Sequence, residues 1–306
     1  MHVDDIILAA RTDYLDDLAL PYSWSDETLL RHLNFINKEW CRETGILRDF
    51  STSSVCEIPI LANKSTYATS PKITQIHNGF LTEANREVKT KTDKWLSENM
   101  SGWRTATGSP LYLIPDYNAN FLRAVPYPSD DEGYWTGAKT FTALGKTITG
   151  LAADAFSDLL EADDKVVISG TTLNGTTAVP VTFTVVTAAA GSFTVSETVA
   201  GEAGPAATII QKVVDTMWLT VSRLPLNDFL ISTMDTQSPE IREDYHPCLV
   251  FGICREAYSK SDSQTFNERE HEKFRGYFEY EKMKAKTETE WLRTGPQNLK
   301  PHFGAL

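Results

Sequence analysis

The residues with the clearest chemical potential lie near position 250. His246, Cys248 and Cys254 carry one imidazole and two thiols, which are good zinc ligands. A structural zinc site needs four ligands, usually in close pairs, and the chain offers no second pair. Because the whole chain has only four cysteines, thiols buried on a helix face are the better interpretation. We therefore expect no metal, no cofactor and reduced cysteines.

Other enzyme signatures fail on their spacing. Gly145, Lys146 and Thr147 match the end of a phosphate-binding loop, but the motif also needs a glycine at position 140, where this chain has threonine. An acidic run at 130–133 lacks the alternating ligands of a calcium-binding loop. The sequence therefore predicts that the chain is not an enzyme and has no catalytic residue.

Composition and charge narrow the class of protein further. Hydrophobic residues make up 41% of the chain and charged residues 23%, so the chain can bury a core and is not wholly disordered. Acids outnumber bases by 41 to 29, a net charge of −12, which argues against a protein that grips nucleic acid through a basic face. No apolar run approaches the length of a membrane span, and the N-terminus has no basic leader. These features predict a cytoplasmic product without an export signal.

The middle of the chain has a composition of its own. Between positions 137 and 210 there is no Arg, His, Cys, Met, Trp or Tyr. Threonine-rich, β-branched runs alternate there with turn signals such as Asn174-Gly175, a pattern typical of hairpins. We predict that residues 137–212 form an inserted all-β domain, immunoglobulin-like or a small barrel. The host is then split into residues 1–136 and residues 213–306.

Helical signals are strongest in these two flanks. Ser25 is a suitable N-cap and Gly45 a suitable terminating residue for one helix. Its apolar stripe runs through Leu29, Leu33, Ile36 and Trp40. Two more helices are predicted near 245–260 and 266–293, and short strands between 52 and 136 and at 216–222 complete the flanks.

The last predicted helix carries an apolar stripe that indicates either a core contact or a contact between subunits. The stripe consists of Phe274, Phe278, Ala285 and Leu292. Gly295 and Pro296 should then stop the helix, because glycine is common just past a helix end and proline cannot continue one.

With the insert removed, the flanks resemble bacteriophage head-to-tail adaptor (connector) proteins, which form the ring below the portal. The resemblance rests on the order and spacing of several stretches rather than on one motif. They are the helix at 29–40 with Gly45 to Asp49, Tyr67 to Ile73, Trp103 with Gly108 to Tyr112, Pro126 to Pro128, Leu219 to Pro225, Ser238 to Ile241, and Tyr245 to Tyr258 before the long charged helix. Most such adaptors lack an insert like this one.

The resemblance implies an α+β fold class, with a helical-bundle adaptor core, a small β element and the inserted β domain. It also implies a structural virion protein at the head-to-tail interface, assembled in the host cytoplasm as a ring that is typically twelve-fold. A C-terminal arm would dock on the portal protein, with apolar anchors at Trp291, Leu299, Phe303 and Leu306.

The implied partners are other copies of the chain, the portal, a tail or nozzle protein, and tail fibres that contact the insert. Double-stranded DNA would pass through the lumen of the ring without specific binding, because acidic walls repel phosphates. The alternative is an adhesion or glycan-binding virion protein whose inserted β domain is the binding module. The absence of Trp and Tyr from the insert counts against sugar stacking.

Overall fold

The computed structural model describes residues 1–142, 146–150, 156–171, 173–174, 180–203, 208–259 and 266–294. Its helices, in chain order, are α1 (Val3–Ala10), α2 (Asp26–Thr44), α3 (Ser53–Cys56), α4 (Asp93–Asn99), α5 (Phe156–Leu159), α6 (His246–Tyr258) and α7 (Glu268–Thr294). A π-helical turn at Arg11–Leu15 continues α1, and short 3-10 turns occupy Asp130–Glu132, Ile231–Thr233 and Glu243–Tyr245.

Fifteen strands are present among the described residues. They are β1 (Arg48–Asp49), β2 (Glu57–Leu61), β3 (Thr66–Ala68), β4 (Ile73–Leu81), β5 (Arg86–Thr90), β6 (Tyr112–Asn118), β7 (Phe121–Val125), β8 (Tyr134–Thr136), β9 (Thr140–Thr142), β10 (Thr147–Thr149), β11 (Lys165–Ser169), β12 (Val181–Ala189), β13 (Ser192–Val195), β14 (Glu202–Ala203) and β15 (Ile209–Arg223).

The strands form one mixed sheet, and this corrects the predicted fold class. The order is β14-β9-β10-β13-β12-β11-β15-β4-β5-β6-β7-β3, and β1, β2 and β8 also pair with β15. Most pairs are antiparallel, whereas β5 and β6 run parallel. The expectation of a helical-bundle core with a small β element and a small insert is wrong, because the sheet is the dominant architecture and helices hold well under half of the chain.

The helix ends follow from local sequence. The Ser25 side chain accepts a hydrogen bond from the Thr28 amide at 3.3 Å, and Gly45 adopts the left-handed conformation with φ 61°. Both predicted ends of α2 are therefore confirmed. The short helix α4 begins in the same way, with the Thr92 hydroxyl accepting from the Trp95 amide.

The chain divides into two compact units. The first comprises Met1–Asp49, Lys72–Gln75 and Ser222–Leu306. Its core is built by α1, α2, α6 and α7, and Trp40 lies at its centre with ring centroids 5.6 Å from both Tyr245 and Phe278. Edge and tilted arrangements of this kind are the favoured geometry for aromatic pairs.

The second unit comprises Phe50–Pro71 and Ile76–Val221. Within it, β15 pairs with β2 between Val213 and Trp218, and with β8 and β11 between Ile209 and Lys212. The sequence predicted a strand only over 216–222. The first half of β15 was missed because its neighbours in the sheet are distant in sequence.

Residues of the predicted insert form a hydrophobic cluster together with Trp135 of β8. It contains Trp135, Phe141, Ile148, Phe156, Leu160, Val166, Ile168, Phe183, Val185, Phe193, Val195, Val199 and Ile210. The cluster begins and ends on β8 and β15, where Thr136 lies directly opposite Ile209. That residues 137–212 fold independently stays a prediction.

We predict opposite effects of alanine at two helical glycines. A Cβ at Gly252 would lie 2.4 Å from Ile36 Cγ2, a methyl group on a stiff β-branched side chain, whereas a Cβ at Gly276 meets nothing within 4 Å. Gly252→Ala should therefore lower the free energy of unfolding by about 1–3 kcal/mol through overpacking. Gly276→Ala should raise it by up to about 1 kcal/mol through helix propensity. Urea unfolding measures both, and equal effects would contradict the close approach of α6 to α2.

Excision of residues 137–208, which is the predicted insert (137–212) up to the start of β15, should leave a folded remainder. Because Thr136 and Ile209 are directly paired, a short Gly/Ser turn in place of residues 137–208 closes β8 and β15 into a hairpin. We expect a soluble, monodisperse protein whose helical circular dichroism is retained. An insoluble or unfolded product would show that the remainder depends on the insert.

Candidate interaction surface

The inner face of α7 is Phe274, Phe278 and Ala285, each at most 1% exposed. The Phe274 ring stacks on Tyr258 with centroids 5.9 Å apart and an interplanar angle of 8°. Phe278 packs against Trp40 from α2. The spacing of four and seven residues places these side chains on one side of the helix, so α7 is seated on α2 and α6 through aromatic contacts.

A buried lysine fixes the rotation of α7 about its own axis relative to α2 and α6. The Lys282 side chain is only 5% exposed, and its Nζ lies 2.5 Å from Glu279 and 3.0 Å from Glu43 of α2. The Lys282 ammonium also sits 5.1 Å from the centroid of the Phe278 ring. Burial lowers the pKa of Lys282, but hydrogen bonds to Glu279 and Glu43 outweigh it, and the pKa is raised above its ordinary value. The lysine is therefore charged and paired.

Arg255 of α6 extends the same network. Its two terminal nitrogens donate to the two carboxylate oxygens of Glu39 at 3.2 and 2.7 Å, a bidentate geometry. Glu39 also lies 3.6 Å from Lys282. Because one carboxylate of α2 faces cations of both α6 and α7, the three helices are joined by charge as well as by apolar packing.

A second charged contact holds the C-terminal half of α7. The Glu288 carboxylate accepts a hydrogen bond from the Tyr245 hydroxyl and pairs with Arg242 at 2.6 Å. The hydrogen bond from Tyr245 lowers the pKa of Glu288. Burial and the same carboxylate raise the pKa of Tyr245 to about 12. Both ends of α7 are therefore tied to neighbouring elements of the first unit.

The outer face of α7 is Tyr280, Met283, Thr287 and Trp291. Tyr280 and Met283 are each 68% exposed and Trp291 is 58% exposed. With Lys284 and Glu288, which also belong to α7, these residues border a shallow, open apolar strip along the helix. At 100° per residue, Met283 lies about 180° around the axis from Phe274. The helix thus has an apolar stripe on each of two opposite sides.

Exposure of these side chains is a physical cost that calls for an explanation. Single exposed apolar residues are ordinary on protein surfaces, but a contiguous apolar patch with polar neighbours marks an interaction site. Tyr, Trp and Met are also the residues enriched in the centres of protein interfaces. The outer face therefore has the composition of a protein-binding surface.

The predicted site residues fall into three groups. Phe274, Phe278 and Ala285 lie in the core of the first unit, and Trp291 lies on the outer face. The side chain of Leu292 and the arm residues Leu299, Phe303 and Leu306 lie outside the described residues. Sequence reasoning missed Tyr280 and Met283 as parts of one surface, although positions 280, 283, 287 and 291 share one side of a helix.

The residues first considered for zinc do not converge on a site. The His246 Nε2 lies 3.1 Å from the Ile241 carbonyl oxygen, and the Cys248 thiol donates to the Tyr245 carbonyl at 2.6 Å. Burial raises the pKa of Cys254 to about 12 and raises that of Cys248 as well. Within the part of the chain that the structure describes, no three His, Cys, Asp or Glu residues are placed to hold a metal ion.

Comparison with known proteins adds no relative: no protein-family model matches the chain, and no curated protein matches it. Among the described residues, no helix combines the length and apolar character that crossing a membrane requires.

Substitutions on the two faces of α7 should separate folding from association. Tyr280→Ser and Met283→Ser remove exposed groups, so the free energy of unfolding of the monomer should change by less than about 0.5 kcal/mol. Phe278→Ala empties a buried site and should cost about 3–5 kcal/mol. Urea unfolding at low protein concentration measures all three. A loss above about 2 kcal/mol in Met283→Ser would place the outer face in the core instead.

Proposed function

We propose that this chain is a structural subunit that assembles into a ring, and that the ring is a bacteriophage head-to-tail adaptor between the portal and the tail. The outer face of α7 carries the proposal. A helix on the surface of a monomer needs one apolar stripe to pack on its core. The second stripe consists of Tyr280, Met283 and Trp291. It contributes apolar burial only when another surface covers it.

Ring assembly explains why the second apolar stripe lies on a helix whose rotation is fixed by buried ion pairs. A ring closes through one repeated contact between two unlike surfaces of each subunit. The contact must have the same angle every time, and the network of Lys282, Glu43 and Glu39 prevents α7 from rolling. A rigid helix with an exposed apolar face is suited to that task.

The adaptor assignment comes from the resemblance of the flanks. The stretches that carry it include α2, the end of β15, α6 and the start of α7. An adaptor ring requires a repeated subunit contact, a lumen and a docking arm, and none of these depends on the share of helix in the chain. The large sheet therefore changes the expected fold without removing the function.

Net charge is consistent with a passage for DNA. Each subunit carries −12, so a ring of about twelve copies has a strongly negative potential. Phosphates are repelled by such a wall, and a genome would slide past it rather than bind. The remaining proposed partners are the portal, a tail or nozzle protein and, through the insert, tail fibres.

The ring itself is tested by mass. Light scattering measures the mass of the purified protein over a wide concentration range, with and without portal-bearing heads. We expect a closed oligomer of about twelve subunits on the heads. Electron microscopy of the same sample should show a ring at the portal. A protein that stays monomeric at every concentration and does not attach to heads would overturn the proposal.

Deletion of residues 295–306 should separate attachment from stability. The segment begins with Gly295 and Pro296 and carries apolar anchors at Leu299, Phe303 and Leu306. One arm binds weakly because ordering its backbone costs roughly 1–2 kcal/mol per residue, but many arms in a ring act together. We expect an unchanged melting temperature and loss of attachment to portal-bearing heads. Attachment at the wild-type yield would exclude the arm as the portal contact, as would a large loss of monomer stability in Phe303→Ala.

A further inference from the structure

The second unit has an exposed sheet face that the proposed ring contact does not use. Side chains alternate between the two faces of a strand, and Met217 and Leu219 of β15 and Leu81 of β4 are fully buried. Trp218 and Phe80, at the intervening positions, therefore lie on the opposite face, which we call the open face. Because β15 and β4 are neighbours in the sheet, the two rings lie on adjacent strands.

Three aromatic rings border one shallow, open hollow on this face. They belong to Trp218, Phe80 and Phe50, a residue that directly follows β1. Phe50 is 70% exposed and Phe80 is 44% exposed. The remaining lining residues carry hydroxyl groups and are Ser51, Thr82 and Thr220. Because three separate segments of the chain form the hollow, its shape depends on the tertiary structure and not on one helix or strand.

Two exposed carboxylates flank the rings. Glu57 of β2 is directly opposite Trp218 of β15, and Glu87 of β5 is directly opposite Phe80 of β4. Directly paired residues of neighbouring antiparallel strands share a face, so both carboxylates lie beside the hollow. Glu87 accepts a hydrogen bond from the Asn78 side-chain amide at 2.8 Å. Within the described part of the chain, neither carboxylate has a cation at ion-pair distance.

Two hydrogen-bond donors at the hollow have no partner among the described residues. They are the indole N–H of Trp218 and the hydroxyl of Thr220. Both side chains are half-buried, but neither donor atom is enclosed. An enclosed donor without a partner is costly, whereas a donor that faces an open hollow is available to a ligand.

We propose that this hollow binds a neutral sugar ring of a glycan. The C–H face of a sugar ring packs on aromatic side chains, and its hydroxyl groups donate to carboxylates and accept from N–H and O–H donors. Ligand sites generally combine an apolar lining with a few polar groups that fix the orientation of the ligand. Trp218 lies beyond residues 137–212, so the lack of Trp and Tyr in the predicted insert does not count against this site.

The two flanking carboxylates argue against other occupants. A nucleic acid or an acidic sugar would bring negative charge next to Glu57 and Glu87. A protein surface would bury both carboxylates without a cation, which is costly, and charged residues are depleted from the centres of protein interfaces. Sugar hydroxyl groups instead hydrogen-bond to a carboxylate that stays partly in water. A single subunit carries the whole hollow, so the inference does not depend on the proposed ring.

A glycan microarray, probed with the full chain, tests the site. Its probes are neutral oligosaccharides and acidic oligosaccharides that carry uronic or sialic acid. We expect binding to a subset of the neutral probes and none to the acidic ones. Isothermal titration calorimetry then measures the affinity for the best neutral probe.

Variants of the hollow should weaken that binding without unfolding the protein. Phe50→Ser removes an exposed ring and should lower the affinity by about five- to ten-fold, whereas Phe50→Tyr keeps the ring and should retain it. Glu57→Ala removes one exposed acceptor and should also weaken binding. Tyr280→Ser, which removes a ring that is 68% exposed on α7, is the matched control and should bind as the wild type does. Circular dichroism checks that each variant is folded.

Four outcomes would overturn the inference. They are binding to no neutral probe, equal binding to acidic and neutral probes, an affinity that Phe50→Ser and Glu57→Ala leave unchanged, and a smaller mass of the Phe50→Ser protein in light scattering. The last result would show that a second copy of the chain occupies the hollow. Each of these results leaves the ring at the portal standing, because that ring is tested separately by its mass on portal-bearing heads.

Discussion

The packing of α7 on α2 and α6 is the interaction that determines which side chains the first unit exposes. Phe278 packs on Trp40, and Lys282, buried beside the same ring, is paired with Glu279 and Glu43. Aromatic packing alone would permit a helix to rotate by a few tens of degrees, but a buried ammonium without its carboxylates is costly. The ion pairs therefore set which side of α7 faces the core and, by consequence, which side faces outward.

That rotation also determines which apolar residues of α7 are buried and which are exposed. The outer face presents Tyr280, Met283 and Trp291, while Phe274, near the start of the helix, stacks on Tyr258 of α6. In the proposed ring, a neighbouring subunit would cover the outer face, so residues that contribute little to the stability of one subunit would hold the ring together.

The sequence was informative where structure is local and misleading where it is not. Ser25 and Gly45 mark the ends of α2 because capping depends on adjacent residues, and Phe274, Phe278 and Ala285 are readable as one face of a helix. The large sheet was missed because the partners of β15 lie up to about 160 residues away, and a β-branched pattern does not name the strand it pairs with. The outer face of α7 was missed because a second apolar stripe on a charged helix resembles scattered surface residues.

Oxidation of Met283 tests the central claim most directly, namely that the outer face of α7 is covered when subunits assemble. Met283 is exposed in the subunit, Met1 is exposed elsewhere, and Met217 is fully buried, so three methionines of one protein report together. Mass spectrometry after brief peroxide treatment gives the rate of sulfoxide formation at each. In assembled rings Met283 should react several-fold more slowly than in the monomer, approaching Met217, while Met1 keeps its rate. Equal oxidation of Met283 in monomer and ring would contradict the account.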